Sequence, residues 1–306
     1  MITRLLSGVV VCAAWTASGQ VAFSNSGDAN DPGVVTGFVS RSGLAAPSGS
    51  LWSETALDAE AANALAGVSC HSLSAGRAFR LADNFTLSTS SELRSLVVYG
   101  YSTDTSLAPV VGGSVRVWSG VPDEVGSTVV FESSGPGLVV AQSPMSAFRI
   151  FSSSTAPLPP VPDTTRPIWA LELATPMILS PGTFWFEVEL TPSDINAPLF
   201  LLPLRPSAGR SSAGWDARQR SPDGVWTAIS DPAKPRSAVD APVDLAFQFL
   251  AGFSCPGDWD RSGSPDSDDI IAFFTDWDAG NADIDGSGST DSDDIIAFFN
   301  SWDSGC

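Results

Sequence analysis

Residues 258–278 read DWDRSGSPDSDDIIAFFTDWD, and 283–303 read DIDGSGSTDSDDIIAFFNSWD, a near-copy displaced by 25 residues. A chain that repeats itself so closely must build the same local structure twice. The spacing predicts what that structure is. Asp258, Asp260 and Ser262 fall at positions 1, 3 and 5 of a loop of about 12 residues, the pattern that wraps a hard cation in oxygen donors. Gly263 takes the tight turn at position 6. The carbonyl of Ser264 is expected at position 7, with Asp266 at 9 and Asp269 at 12. The second copy offers Asp283, Asp285, Ser287, Gly288, Ser289, Asp291 and Asp294 at the same positions. Each loop runs into a helical stripe, Ile270, Phe273, Phe274 and Trp277, then Ile295, Phe298, Phe299 and Trp302. Two short helices can bury these stripes on each other. The expected cofactor is calcium, two ions. The plain alternative is a solvated acidic tail, but such a tail would not repeat glycines and paired aromatics in register.

Charge points to the same segment. The chain has 306 residues and a net charge of −19. Thirteen of its 34 acidic residues lie in 251–306, where the only basic residue is Arg261. That balance excludes a nucleic-acid binder, which needs a basic face. The single histidine, His71, excludes poly-histidine metal sites and HExxH proteases within this chain. The length suits two folded units.

Residues 1–19 carry Arg4, an apolar run from Leu5 to Ala14, and Ala17-Ser18-Gly19 before Gln20. This reads as a secretory signal peptide, and the run is too short to span a membrane at roughly 20 residues. No later apolar run is long enough to span one. A secreted or cell-surface protein is expected, with a domain over 20–252 and a second over 253–306. Export permits disulfides. Cys70, Cys255 and Cys306 remain after cleavage. Three is odd, and Cys255 and Cys306 bracket the repeat, so a Cys255–Cys306 disulfide is the preferred pairing and Cys70 a buried thiol. Cys70 and His71 are adjacent, and neighbours in an extended segment face opposite ways, which argues against a nucleophile–base pair.

From about residue 34 to 251 the pattern is short apolar strands broken by Gly, Pro, Ser and Asp. Phe184, Phe186, Val188 and Leu190 alternate with Trp185, Glu187 and Glu189. Val243, Leu245, Phe247 and Phe249 alternate with Asp244, Ala246 and Gln248. Val115 and Val117 alternate with Arg116 and Trp118. Period-two alternation over many short strands predicts an antiparallel β-sandwich, jelly-roll-like, so the whole chain is mainly β with a small α-helical tail. Pro222-Asp223-Gly224 predicts a hairpin turn. Residues 54–65 suit a helix, and 156–162 a Pro-rich loop. Glu187 and Glu189 lie about 7 Å apart on one strand face, a separation glycosidases use. A solvated polar face is the plainer account. Trp118, Trp169, Trp185, Trp215 and Trp226 could stack on a polysaccharide or pack in the core.

Two resemblances add to this. Arg80-Leu81-Ala82-Asp83-Asn84-Phe85-Thr86-Leu87, Leu96-Val97-Val98-Tyr99-Gly100-Tyr101 and Val115-Arg116-Val117-Trp118-Ser119-Gly120 are similar to a β-sandwich region of secreted planctomycete proteins. Pro181-Gly182-Thr183-Phe184-Trp185-Phe186 resembles a strand of that region. The tail resembles a type I dockerin. EF-hand pairs carry Glu at position 12, whereas Asp269 and Asp294 follow the dockerin pattern. Cys255-Pro256-Gly257-Asp258 and the ending Asp303-Ser304-Gly305-Cys306 resemble the GC-type dockerin of planctomycete exported proteins. Ser262 and Ser287 stand where dockerins usually have Asp or Asn. The resemblance implies docking on a cohesin-like or cell-envelope protein through Ser267, Asp268, Ser292 and Asp293, identical in both copies and so open to two symmetry-related modes. It also raises an alternative, a dockerin-borne glycoside hydrolase. The preferred reading is a binding or structural surface module anchored by its tail.

Overall fold

The computed structural model describes residues 21–56, 64–72, 77–102, 110–152, 162–194, 196–205, 213–232, 239–251, 256–260, 265–284, 287 and 289–304. The signal-peptide reading and both bracketing cysteines, Cys255 and Cys306, lie outside them, as does most of the Pro-rich loop.

The chain is mainly β. Its strands are β1 (Val21–Ser24), β2 (Leu51–Ala56), β3 (Val68–Ser69), β4 (Arg80–Leu87), β5 (Ser91–Ser102), β6 (Val110–Trp118), β7 (Val129–Ser134) and β8 (Val139–Ser152). They continue as β9 (Pro167–Leu179), β10 (Gly182–Pro192), β11 (Leu199–Leu201), β12 (Arg218–Arg220), β13 (Trp226–Ala228), β14 (Ser230–Asp231), β15 (Ala241–Pro242) and β16 (Phe247–Ala251). One sheet has the order β1-β16-β5-β9-β8-β2, with β11 and β3 joined to the end of β5. The other has the order β13-β12-β4-β10-β6-β7, and β14 pairs only β15.

The two large sheets share one core. Phe186 of β10 meets Phe247 of β16 edge-on, ring centroids 4.6 Å apart, and Phe85 of β4 lies 4.3 Å from Phe249. The inward residues are those the alternation marks: Phe186, Val188 and Leu190, Val115 and Val117, Val243, Leu245, Phe247 and Phe249. The Pro222–Gly224 segment is the predicted hairpin, with β12 on β13 and Gly224 at φ 89. That conformation favours glycine.

Three features depart from expectation. Residues 54–56 end strand β2 and start no helix; 57–63 lie outside the described residues. The larger sheet is not wholly antiparallel, since β2 pairs β8 in parallel, Leu51 opposite Ala147 through Ala56 opposite Ser152. Arg149 pins this pair from a fully buried position. It donates to Ser53 Oγ, Ala66 O and Leu65 O, each at 2.8 Å, and burial pulls its guanidinium down to about 10. Finally, Ala246 and Gln248 face no solvent. The outer face of the larger sheet carries a second apolar layer of Val34, Leu202 and Leu204 over Val97, Tyr99 and Ala246. Tyr99 donates to Gln248 Oε1 at 2.9 Å beneath that layer.

Two helices follow, α1 (Ser267–Asp278) and α2 (Ser292–Ser304). Their apolar residues, with Ala282 of the segment between them, form a separate cluster centred on Phe273, Ala282 and Phe298. No helix among the described residues is long and apolar enough to cross a membrane.

Candidate metal centre

The tail converges carboxylates at the start of each helix. Asp266 is the N-cap of α1, in extended conformation with φ −141. Its side chain accepts the N–H of Asp268 at 2.8 Å, and Asp269 Oδ2 returns to accept the N–H of Asp266 at 2.7 Å. This reciprocal cap satisfies two of the orphan donors of the first turn. Asp269 Oδ1 accepts the N–H of Asp260 at 2.7 Å, which folds the loop back over the helix start. Asp269 is therefore fully buried although it is a carboxylate. Asp258, Asp260 and Asp269 each offer an oxygen within 4.8 Å of the others. Burial and the charge of Asp260 hold the Asp269 carboxyl above its ordinary value. Each bonded oxygen keeps a second lone pair, so an all-oxygen donor set of this kind fits a hard cation.

The second copy repeats the design. Asp294, also fully buried, accepts from Ile284 N and Asp291 N, both at 2.8 Å. Asp291 Oδ1 accepts from Asp293 N at 3.0 Å, and Asp291 Oδ2 from Ser289 Oγ at 3.0 Å. Ser287 and Ser289 hydroxyls lie 3.2 Å apart, and the Asp283 side is exposed. Ser262, Ser264 and Asp285 lie outside the described residues. Ser267, Asp268, Ser292 and Asp293 sit exposed on the first turns of the two helices.

The two copies are locked together. Phe273 and Phe298 stack with centroids 4.2 Å apart and planes 9° from parallel. Trp259 meets Phe273 edge-on at 5.1 Å. Trp277 at the end of α1 donates its indole N–H to Asp291 O at 3.2 Å, and Trp302 of α2 donates to Asp266 O at 2.9 Å. Gly257 N donates to Ser301 Oγ at 2.8 Å, so the segment entering the tail lies against its last helix.

The β-rich part brings together some of the remaining candidates. Glu187 and Glu189 share one guanidinium: Arg80 Nη1 reaches Glu187 Oε1 at 2.8 Å and Nε reaches Glu189 Oε2 at 2.9 Å. Glu187 also accepts Trp118 Nε1 at 3.0 Å and lies 3.5 Å from Arg116 Nη1. Glu189 takes the Ser72 hydroxyl at 2.9 Å. The pair is an ion-paired, largely buried network in place of the expected solvated face. Trp169 and Trp185 are buried, and Trp118, Trp215 and Trp226 are half-buried. Cys70 is a buried free thiol whose Sγ lies against Val188 O at 3.4 Å, and His71 Nδ1 faces Leu199 O at 3.2 Å.

One cluster escapes a reading of the sequence. Asp83, Asp216 and Asp244 each bring an oxygen within 4.8 Å of the others. Asp83 points inward from β4 and accepts the N–H of Leu245 at 2.7 Å and of Asn84 at 2.8 Å. Asp244 Oδ1 accepts the N–H of Asp216 at 2.8 Å. Burial, reinforced by the neighbouring charge of Asp216, pushes Asp244 up to about 6. Burial and the Asp244 charge push Asp83 well above the carboxylate range. The three residues are too far apart in sequence for any motif to have joined them.

No protein-family model, curated protein or solved structure matches the chain.

Proposed function

We propose that this is a secreted or cell-surface protein whose C-terminal paired loops bind two calcium ions and mediate docking, with the β-rich part as a binding or structural module. The observation that carries the reading is the convergence of Asp258, Asp260 and Asp269 within 4.8 Å on a buried helix cap, in a sequence that repeats every ligand position 25 residues later. Asp258, Asp260, Asp266 and Asp269 would hold one ion, with Ser262 and the Ser264 carbonyl. Asp283, Asp285, Asp291 and Asp294 would hold the other, with Ser287 and Ser289. Bound there, calcium supplies the positive charge that offsets the packed carboxylates. The chain's own residues do the rest: the position-12 carboxylates bolt each loop to its helix, and the Phe273–Phe298 stack joins the helices. Burial of so few apolar residues is marginal for a unit of this size, so ion binding and folding should be coupled.

A dockerin-like module is supported further by the exposed, duplicated Ser-Asp pairs at 267–268 and 292–293. A Cys255–Cys306 disulfide is supported by the contact of Gly257, two residues after Cys255 in sequence, with Ser301, five before Cys306. The crossing of consecutive strands between sheets, β4 to β5 and β5 to β6, supports the jelly-roll-like reading. The rival, hydrolysis at Glu187 and Glu189, has little to recommend it, since those carboxylates are spent on Arg80, Arg116, Trp118 and Ser72. Far-ultraviolet circular dichroism of the mature chain tests the calcium reading. Chelator should remove the helical contribution and calcium restore it; a spectrum indifferent to both would refute it.

A further inference from the structure

The two loops are wired to each other through the position-9 residues. Asp266 spends its N–H on Asp269 and its side chain on the N–H of Asp268, both within its own loop and helix. Its carbonyl alone reaches across, to Trp302 Nε1 at 2.9 Å. Asp291 is built in a similar way, with its N–H on Asp294 and its side chain on Asp293 N, while its carbonyl takes Trp277 Nε1 at 3.2 Å and also the N–H of Asp294 at 3.2 Å. The contacts close a ring: first loop, α1, Trp277, second loop, α2, Trp302, and back to the first loop. The two tryptophans are repeat equivalents, as are the two aspartates, 25 residues apart. Trp259 is a built-in contrast. Its indole donates to the Asp276 side chain at 2.9 Å, leaving the loop carbonyls untouched.

We propose that Trp277 and Trp302 are positioning residues that make calcium binding at the two loops cooperative. The inference rests on the calcium reading above. Ordering one loop fixes its position-9 carbonyl, which captures the far end of the helix launched by the other loop. That helix in turn presents the position-12 carboxylate of its own loop. Occupancy of either loop therefore pre-forms the second, and the effect is reciprocal by linkage.

Calcium titration of the full mature chain, read by heat and by tryptophan fluorescence, tests this. The second ion should bind at least about fivefold more tightly than the first after statistical correction, within the ordinary range of coupling between sites. In Trp277→Phe/Trp302→Phe two ions should still bind, with that ratio reduced to about 1, the value for uncoupled sites. Trp226→Phe, which loses an indole bonded to Asp123 in the β-rich part, should keep the wild-type ratio. A ratio of unity in the wild type, or an undiminished ratio in the double variant, overturns the coupling and leaves the calcium reading standing. A wild-type chain that binds no calcium overturns both. Should the double variant not fold, Asp260→Asn serves instead, since it weakens one loop and keeps the backbone bond from residue 260 to Asp269. The other loop should then bind its ion at least about fivefold more weakly than in the wild type, by the same linkage. An unchanged affinity overturns the proposal.

Discussion

Asp244→Asn should stabilise the β-rich part at neutral pH. Asp244 sits between Asp83 and Asp216 and is 8% exposed. Its carboxyl rises from 3.8 to about 6 on folding. The folded state thus holds a proton that the unfolded chain releases between pH 3.8 and about 6. Stability is therefore highest below that window, falls as pH rises through it, and stays reduced above it. A shift of about 2 units at about 1.4 kcal/mol each makes the ionised carboxylate cost about 3 kcal/mol at pH 7.5. A carboxamide removes that charge and can keep its oxygen on the N–H of Asp216, giving up the 3.5 Å contact from Asn25 Nδ2. The variant should melt higher than the wild type at pH 7.5 by up to about 12 °C, at roughly 2–4 °C per kcal/mol for a domain of this size. The gap should close as pH falls toward 4. Calorimetry in chelator from pH 4 to 8 measures it without an ion in the tail. A variant less stable than the wild type at pH 7.5, or a gap that does not change with pH, would refute the reasoning.

Three other outcomes follow from burial and close contact. Arg149→Met should destabilise by about 3–5 kcal/mol in urea unfolding, because it strips Ser53, Leu65 and Ala66 of their buried donor. A loss under about 1 kcal/mol would contradict this, being no more than one ordinary hydrogen bond. Gly257→Ala should weaken calcium binding at the tail, since the added Cβ would lie 2.5 Å from Trp302 Cα and 2.6 Å from its N. Wild-type calcium affinity in that variant would show that the contact yields freely. Cys70 should resist thiol reagents in the folded chain and react on unfolding, because burial raises its thiol and removes access. Fast native labelling at Cys70, identified by mass spectrometry, would contradict its placement.

What was legible in the sequence was local. The faces of β10, β6 and the segment 243–249 toward the shared core follow from strict alternation, since a strand's side chains must alternate. The two helices follow from the stripes Ile270, Phe273, Phe274, Trp277 and Ile295, Phe298, Phe299, Trp302 after each loop. What was not legible depended on distant chain. Nothing in Leu51–Ala56 announces a parallel partner at 147–152, and its acidic and small residues suit a helix equally well. Ala246 and Gln248 look solvent-facing until residues 34–35 and 202–204 cover that face. Glu187 and Glu189 look solvated until Arg80 and Arg116 from neighbouring strands are placed beside them. The Asp83–Asp216–Asp244 cluster needs the middle of β4 to meet two positions outside the strands, 216 and 244, which no spacing rule encodes.

The central claim is a tail that needs calcium to fold. Native mass spectrometry of residues 20–306, with amide hydrogen exchange in calcium and in chelator, tests it most directly. Two bound ions are predicted, with the amides of 267–278 and 292–304 protected in calcium and exposed in chelator. A chain that holds no calcium, or one that keeps both helices protected in chelator, would contradict the account.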